Sequence, residues 1–267
     1  MVIAGSGREE RVAMAGIEIG IIGGTGGMGA WFAEFFRGEG YVVHVSGRHR
    51  GMGIPAIAGR CDVVIVAVPI DATRQIIEQA GPFVREEALF MDLTSLKADP
   101  VRAMLDYSRS EVIGLHPLFG PDVPTAAGQN IVYCPARTRR WLPWLLDILG
   151  RSGARLQEAT PEEHDRMMAL VQGLNHLNTI ILGLALRETG VDPAELEDFS
   201  TPIFRAKMGF IEKVFRGNPG LYAEIITGNP HIGRIVELYG QEFASVKALI
   251  DRRDAAALSA LIGEDKD

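Results

Sequence analysis

Six short runs of β-forming residues, nearly all of them apolar from end to end, set the limits on what this chain can fold into. They are "IEIGIIG" (17–23), "YVVHVS" (41–46), "DVVIVAV" (62–68), "ALFMDL" (88–93), "EVIGL" (111–115) and "NIVYC" (130–134). A strand with one wet face alternates polar and apolar residues. Runs apolar throughout suit strands buried on both faces, hence a parallel sheet covered by helices. The segments between them read as helices, and that alternation is the pattern of a doubly wound α/β domain.

The pattern changes after residue 159. Thr160, Pro161 and Glu163 supply an N-cap, a proline at the first helical position and a capping-box glutamate. No strong breaker follows until Gly190, which predicts a helix roughly 45 Å long at about 1.5 Å per residue. Residues 191–267 read as further helices punctuated by Asp192-Pro193, Asn218-Pro219 and Asn229-Pro230. The expected organisation is an extension over 1–16, an α/β domain over 17–159 and an all-helical domain over 160–267. These helices carry more apolar surface than one small domain can cover, so residues 160–267 are expected to form a homodimer.

With 47% hydrophobic and 23% charged residues the chain has ample material for a core. A formal net charge of −7 argues against nucleic acid or an anionic membrane as the main partner. Cys61 and Cys134 have no CxxC spacing, which is the usage of reduced thiols in a cytoplasmic protein. "MVIAGSGREERVAMAG" lacks the apolar core of a signal peptide, and no uninterrupted apolar run approaches the roughly 20 residues of a membrane span. The expectation is a soluble, cytoplasmic protein.

"GGTGGMG" (23–29) places Gly24-x-Gly26-x-x-Gly29 between the first strand and a helix beginning "AWFAEFF". Alone the pattern is weak; a strand before it and a helix after it make it a dinucleotide loop. Its glycines permit a tight turn and close backbone approach, and the helix N-terminus faces the pyrophosphate. Gly24, Thr25, Gly26, Gly27, Met28 and Gly29 are the expected cradle. A site for NAD places Asp or Glu at the end of the second strand. Here "VSGRHR" gives Ser46, Gly47, Arg48 and Arg50 instead, and guanidinium forks match the oxygens of an adenosine 2′-phosphate. The expected cofactor is NADP.

Ligands of open α/β sheets bind beyond the carboxyl ends of the strands. Val68-Pro69 ends the third run, "DLTSLK" (92–97) the fourth and Leu115-His116-Pro117 the fifth. Singly, Ser95 could cap a helix, Lys97 could be a surface charge and His116 could be a strand cap. Together they place Ser95, Lys97 and His116 on one rim, with His116 as a general base.

The combination "GGTGGMG", "AVPI", "DLTSLK", "GLHPLFGPD", "EEHDRMMALVQGLNH" and "STPIFRAK...LYAEI" resembles prephenate dehydrogenase, a tyrosine-biosynthesis family, from Ile17 to about residue 255. The resemblance implies a Rossmann-type domain followed by a helical dimerisation domain. It implies oxidative decarboxylation of prephenate to 4-hydroxyphenylpyruvate, with His116 as the catalytic histidine, Ser95 orienting the hydroxyl and Lys97 a basic residue beyond it. His176 matches a histidine facing the substrate, while His164 reads as a structural partner near the domain junction. The family holds a substrate carboxylate with an arginine eight residues beyond the one in "PIFR". Counted from Arg205, that position is Lys213, a point charge that cannot make the planar bidentate contact. Arg205 and Lys213 are therefore both candidate anchors, and arogenate or 4-amino-4-deoxyprephenate stand as alternative substrates. With sixteen residues before Ile17 and an end at Asp267, neither a fused chorismate mutase nor a C-terminal regulatory domain is expected. Any tyrosine inhibition is then expected at the active site. Two remoter alternatives, a deazaflavin-dependent NADP reductase and a non-enzymatic NADP sensor, have no need of the "GLHPLFGPD" block.

Overall fold

The computed structural model describes residues 16–48 and 50–263. The extension up to residue 15 and the side chain of the expected cofactor ligand Arg50 lie outside the described residues. The chain divides into two compact units, the first ending at Asp165 and the second beginning at Arg166.

In the first unit all six expected strands form: β1 (Glu18–Ile22), β2 (Val42–Gly47), β4 (Val63–Val66), β5 (Leu89–Asp92), β6 (Glu111–Pro117) and β7 (Asn130–Arg137). Two more join them, β3 (Arg50–Gly51) and β8 (Arg155–Glu158). The eight form one sheet in the order β3-β2-β1-β4-β5-β6-β7-β8 among the described residues. Successive residues serve opposite faces. Ile19, Ile21, Val63, Ile65, Met91 and Ile113 pack with Phe32, Phe36, Trp144 and Leu145. Ile22, Val64, Val66, Phe90 and Val112 pack with Ile57, Ile77, Val101 and Met104. Helices thus cover both sides, which is why the runs carry no polar alternation.

The sheet is not wholly parallel, as the apolar runs alone had implied. β6 and β7 pair antiparallel, and so do β2 and β3. A parallel return needs a crossover of a dozen or more residues, usually helical. Residues 118–129, "LFGPDVPTAAGQ", contain two prolines and two glycines and form no helix, so β7 folds straight back.

The expected capping box is present. Glu163 N–H donates to Thr160 Oγ1 (3.2 Å) and Thr160 N–H to Glu163 Oε2 (3.0 Å). The helix runs from Pro161 to Thr189 and ends at Gly190, whose φ of 70° only glycine adopts readily. It is long and apolar enough to cross a membrane by length and composition, although Gln172, Asn175, His176 and Asn178 interrupt its apolar run.

The second unit is helical. Thr201 caps helix Pro202–Glu212 and Asn218 caps helix Pro219–Gly228; Ile232–Asp251 and Ala255–Gly263 follow. Its buried apolar side chains are few, among them Ile211, Val214 and Ile225.

Candidate active site

One row of paired residues crosses the sheet: Ser46 beside Ile22, Ile22 beside Val66, Val66 beside Asp92, and Asp92 beside Gly114. Because β2, β1, β4, β5 and β6 run parallel, everything just past that row lies on one carboxyl edge. There the chain places the glycine loop, Gly47-Arg48, Val68-Pro69, Ser95 and His116. Strand order reverses between β1 and β4, the switch point at which such sheets bind ligands.

The glycine loop is shaped by its own backbone. Gly23 N–H and Gly24 N–H both donate to Ser46 carbonyl oxygen (2.7 and 3.1 Å), tying the loop to β2. A Cβ at Gly29 would lie 2.3 Å from the Gly23 oxygen, so helix Gly27–Gly38 could not start so close to β1 with any other residue. At Gly26 a Cβ would meet only the Gly23 oxygen, at 3.5 Å. No described residue demands that glycine, and the backbone of Thr25, Gly26 and Gly27 is left exposed for a ligand to approach. The helix has no side-chain cap and no acid in its first turn, which leaves its N-terminal N–H groups and dipole to an anion. These residues fit a dinucleotide pyrophosphate.

Past β2 the chain turns at Arg48 into the two-residue β3, with Gly47 paired to Arg50. Ser46 is buried and Arg48 is exposed at the hairpin tip. A Cβ at Gly47 would lie 2.4 Å from Thr25 Oγ1, so the space this glycine leaves is taken up by the Thr25 side chain. Val68 lines the loop from the other side, where a Cβ at Gly23 would come within 2.9 Å of it, and Pro69 precedes helix Ile70–Ala80.

His116 sits on β6 with only 3% of its surface exposed. Its Nδ1 lies 2.7 Å from Nε2 of His164, and His164 Nδ1 lies 2.7 Å from Asp165 Oδ1. Asp165 also accepts the N–H of Lys97 at Oδ1 (2.8 Å) and of Ala98 at Oδ2 (2.9 Å). Burial, then the neighbouring His164 and Lys97, hold the His116 pKa well below the usual histidine range. Burial also lowers His164, against the opposing hydrogen bond from Asp165. Burial alone would raise Asp165, but the hydrogen bonds from His164 and the two backbone N–H groups outweigh it and leave its carboxyl lowered. His116 is thus neutral at neutral pH.

Lys97 is fully buried beneath this edge. Its ammonium forms an ion pair with Asp92 and donates to the carbonyl of Leu115 (3.0 Å), the residue before His116. The side chain is spent inside the fold and presents no charge at the surface. Ser95 is half-buried in the bend after β5, three residues past the paired Asp92.

In the second unit His176 packs edge-on against Tyr222 with ring centroids 4.8 Å apart, and burial lowers its pKa. Arg205 is paired with Glu197 at 2.8 Å, and Lys213 is exposed where helix Pro202–Glu212 ends. Asp165 and Asp92 were not among the expected site residues. The adjacent His-Asp of "EEHDR" was the signal for the first, while nothing short of the fold exposes the second.

Two family models match the chain: "Prephenate dehydrogenase, nucleotide-binding domain" over residues 51–158 and "Prephenate dehydrogenase, dimerization domain" over 160–264. A Methanocaldococcus jannaschii protein named "Probable arogenate/prephenate dehydrogenase" is 34% identical over 257 residues, spanning 89% of this chain and 58% of that one. The "T-protein" of Haemophilus influenzae is 36% identical over 197 residues, spanning 74% of this chain and 52% of that one. The chain therefore spans little more than half the length of these relatives. A crystal structure titled as prephenate dehydrogenase from A. aeolicus with hydroxyphenyl propionate and NAD+ superposes with a TM-score of 0.69 at 20% identity, covering 92% of this chain and 94% of that one. That likeness is one of fold. On the two family models, which together match most of its length, the chain belongs to the prephenate dehydrogenase family.

Proposed function

We propose that the chain catalyses NADP-dependent oxidative decarboxylation of prephenate to 4-hydroxyphenylpyruvate, a step of tyrosine biosynthesis. The observation that carries this reading is His116, a neutral imidazole held on the edge where the glycine loop opens. When bound, the nicotinamide supplies the hydride acceptor. His116 draws the proton from the ring hydroxyl, which eases departure of the C–H hydride. The ring carboxylate leaves as CO₂ and its bonding electrons complete the aromatic ring. A base so placed contributes about 10²–10⁴-fold. Ser95 orients the hydroxyl, and Lys97 acts from beneath by holding the Leu115 carbonyl. His176, Arg205 and Lys213 are proposed to receive the substrate's carboxylates, Arg205 by exchanging Glu197 for one of them. Turnover of prephenate and of arogenate, each with NADP and with NAD, tests the reading directly. Loss of both substrates would overturn it, and preference for arogenate would reassign the side-chain specificity.

The cofactor preference rests on β2. No carboxylate ends the strand to repel a 2′-phosphate, and Arg48 stands exposed at the hairpin tip. A charge-assisted hydrogen bond is worth about 1.5–3 kcal/mol, and solvent exposure reduces that. NADP is expected to be favoured at least about tenfold, at 1.4 kcal/mol per tenfold. Arg48→Ala should erode the preference mainly by weakening NADP. Equal catalytic efficiency with both cofactors in the parent protein would sink the assignment.

We also propose a homodimer through a helical domain that begins at the Thr160 cap. The 20-residue helix Ile232–Asp251 has no buried residue in the single chain, and Phe199, Ile203, Phe210, Phe243 and Ile250 are all exposed. Interfaces of obligate dimers bury about 2,000 Å² or more. Sedimentation at micromolar concentration should give a dimer; a monomer there would refute the assignment. The cytoplasm is the proposed compartment. Both thiols are buried there, pushed up by burial to about 11 for Cys61 and about 12 for Cys134, so neither is poised to react.

A further inference from the structure

We propose that Asp165 and His164 are positioning residues that fix the tautomer of His116, with the proton on Nδ1 and the lone pair on Nε2. The inference rests on the reading of His116 as the base, and it says which nitrogen does the work and why.

The assignment follows from counting donors and acceptors. An ionised carboxylate only accepts. Asp165 takes backbone N–H groups from Lys97 and Ala98, one on each oxygen, which hold it at the N-terminus of helix Ala98–Tyr107 as an acceptor. Its Oδ1 at 2.7 Å from His164 Nδ1 then requires a proton on that nitrogen. A neutral imidazole has one N–H and one lone pair, so His164 Nε2 is an acceptor. At 2.7 Å from it stands His116 Nδ1, which must donate. The remaining nitrogen of His116, Nε2, carries the lone pair. The reverse assignment would set two lone pairs against each other at 2.7 Å. His116, His164 and Asp165 expose at most 3% of their surfaces, so water does not offer substitute partners.

The same arrangement serves the protonated state. When Nε2 gains the substrate's proton, the imidazolium still donates from Nδ1 to His164, whose own N–H points to the Asp165 carboxylate. The positive charge is met through His164 by Asp165 and opposed by Lys97, whose ammonium Asp92 already pairs. The proton need not travel along the chain; only its placement at each nitrogen matters.

Two measurements on the full chain test this. In protein labelled with nitrogen-15 histidine, the ring signals of His116, identified by their loss in His116→Asn, should report a protonated Nδ1 and an unprotonated Nε2. That is opposite to the Nε2–H form preferred by a free histidine side chain. A His116 signal with the proton on Nε2 would overturn the proposal even if prephenate is turned over, whereas absence of turnover with the expected tautomer would overturn only the reading of the reaction. The second measurement compares His164→Gln with His164→Phe. Glutamine's carbonyl oxygen can accept from His116 Nδ1, while phenylalanine keeps a ring and removes the acceptor. Glutamine should retain most of kcat, and phenylalanine should lose about tenfold or more with the cofactor KM unchanged; a wrong tautomer costs a serine-protease triad about 10⁴-fold. Equal losses in the two variants would make His164 a packing residue and end the proposal.

Discussion

Replacing His116 with asparagine is expected to leave nicotinamide dinucleotide binding intact and to lower turnover by about 10²–10⁴-fold. The two effects separate because the glycine loop is built from β1 and β2 backbone, with no contribution from His116. Asparagine is the informative substitution. Its amide nitrogen can stand in for Nδ1 and donate to His164, so the buried contact at 2.7 Å survives while the accepting Nε2 is gone. Cofactor titration by fluorescence and steady-state turnover at neutral pH are the measurements. Turnover within threefold of the parent would return the histidine to a structural role.

The second large effect is expected at Lys97, and it is an effect on stability. Lys97→Met keeps the stem and deletes the ammonium, leaving the Asp92 carboxylate buried. Thr94 alone would still donate to Asp92 Oδ2, through its N–H (3.0 Å) and its hydroxyl (2.6 Å), while Oδ1 accepts nothing from the described residues. Breaking a buried pair on one side costs about 3–5 kcal/mol, a large part of the roughly 5–15 kcal/mol that holds a domain together. Urea unfolding should show the loss as a lowered midpoint, and the double replacement of Asp92→Asn with Lys97→Met should recover much of it. A single Lys97→Met as stable as the parent would show that the ion pair does not hold β6.

Those two residues mark where sequence reasoning reached and where it stopped. The place of His116 at the end of an apolar strand was legible, because an imidazole followed by proline there is an unusual local choice. Lys97 was legible as chemistry and misleading as position, since lysine is almost never buried unless paired and its partner lies five residues back on β5. The sequence held one hint in Gly114, inside the run "EVIGL". A glycine inside a strand marks a close approach, and at Gly114 a Cβ would come within 2.9 Å of the Lys97 stem. Asp165 had a local signal in the His-Asp pair of "EEHDR", but its partners Lys97 and Ala98 are far away in the chain and only the fold joins them. Among the strands, six showed themselves by continuous apolar runs. β3 is two residues long, and β8, "RLQE", is an exposed edge strand without such a run. Strand direction was the other blind spot, because an apolar run looks the same pointing either way.

The peptide that follows His116 gives the edge a mechanical character. After Pro117 it passes over the start of helix Gly27–Gly38: Phe119 meets Trp31 edge-on at 5.1 Å between centroids, and Trp31 Nε1 donates to the Val123 carbonyl at 2.7 Å. Between these contacts the Pro121 ring comes so near the glycine loop that a methyl on Gly27 would lie 3.1 Å from it. To admit that methyl, Pro121 would have to give way, and Pro121 is five residues from the base on a segment anchored at both ends. A substitution made at Gly27 would thus press on the segment that leads away from His116. The glycine loop and the strand that carries His116 are thus clasped together by one short peptide.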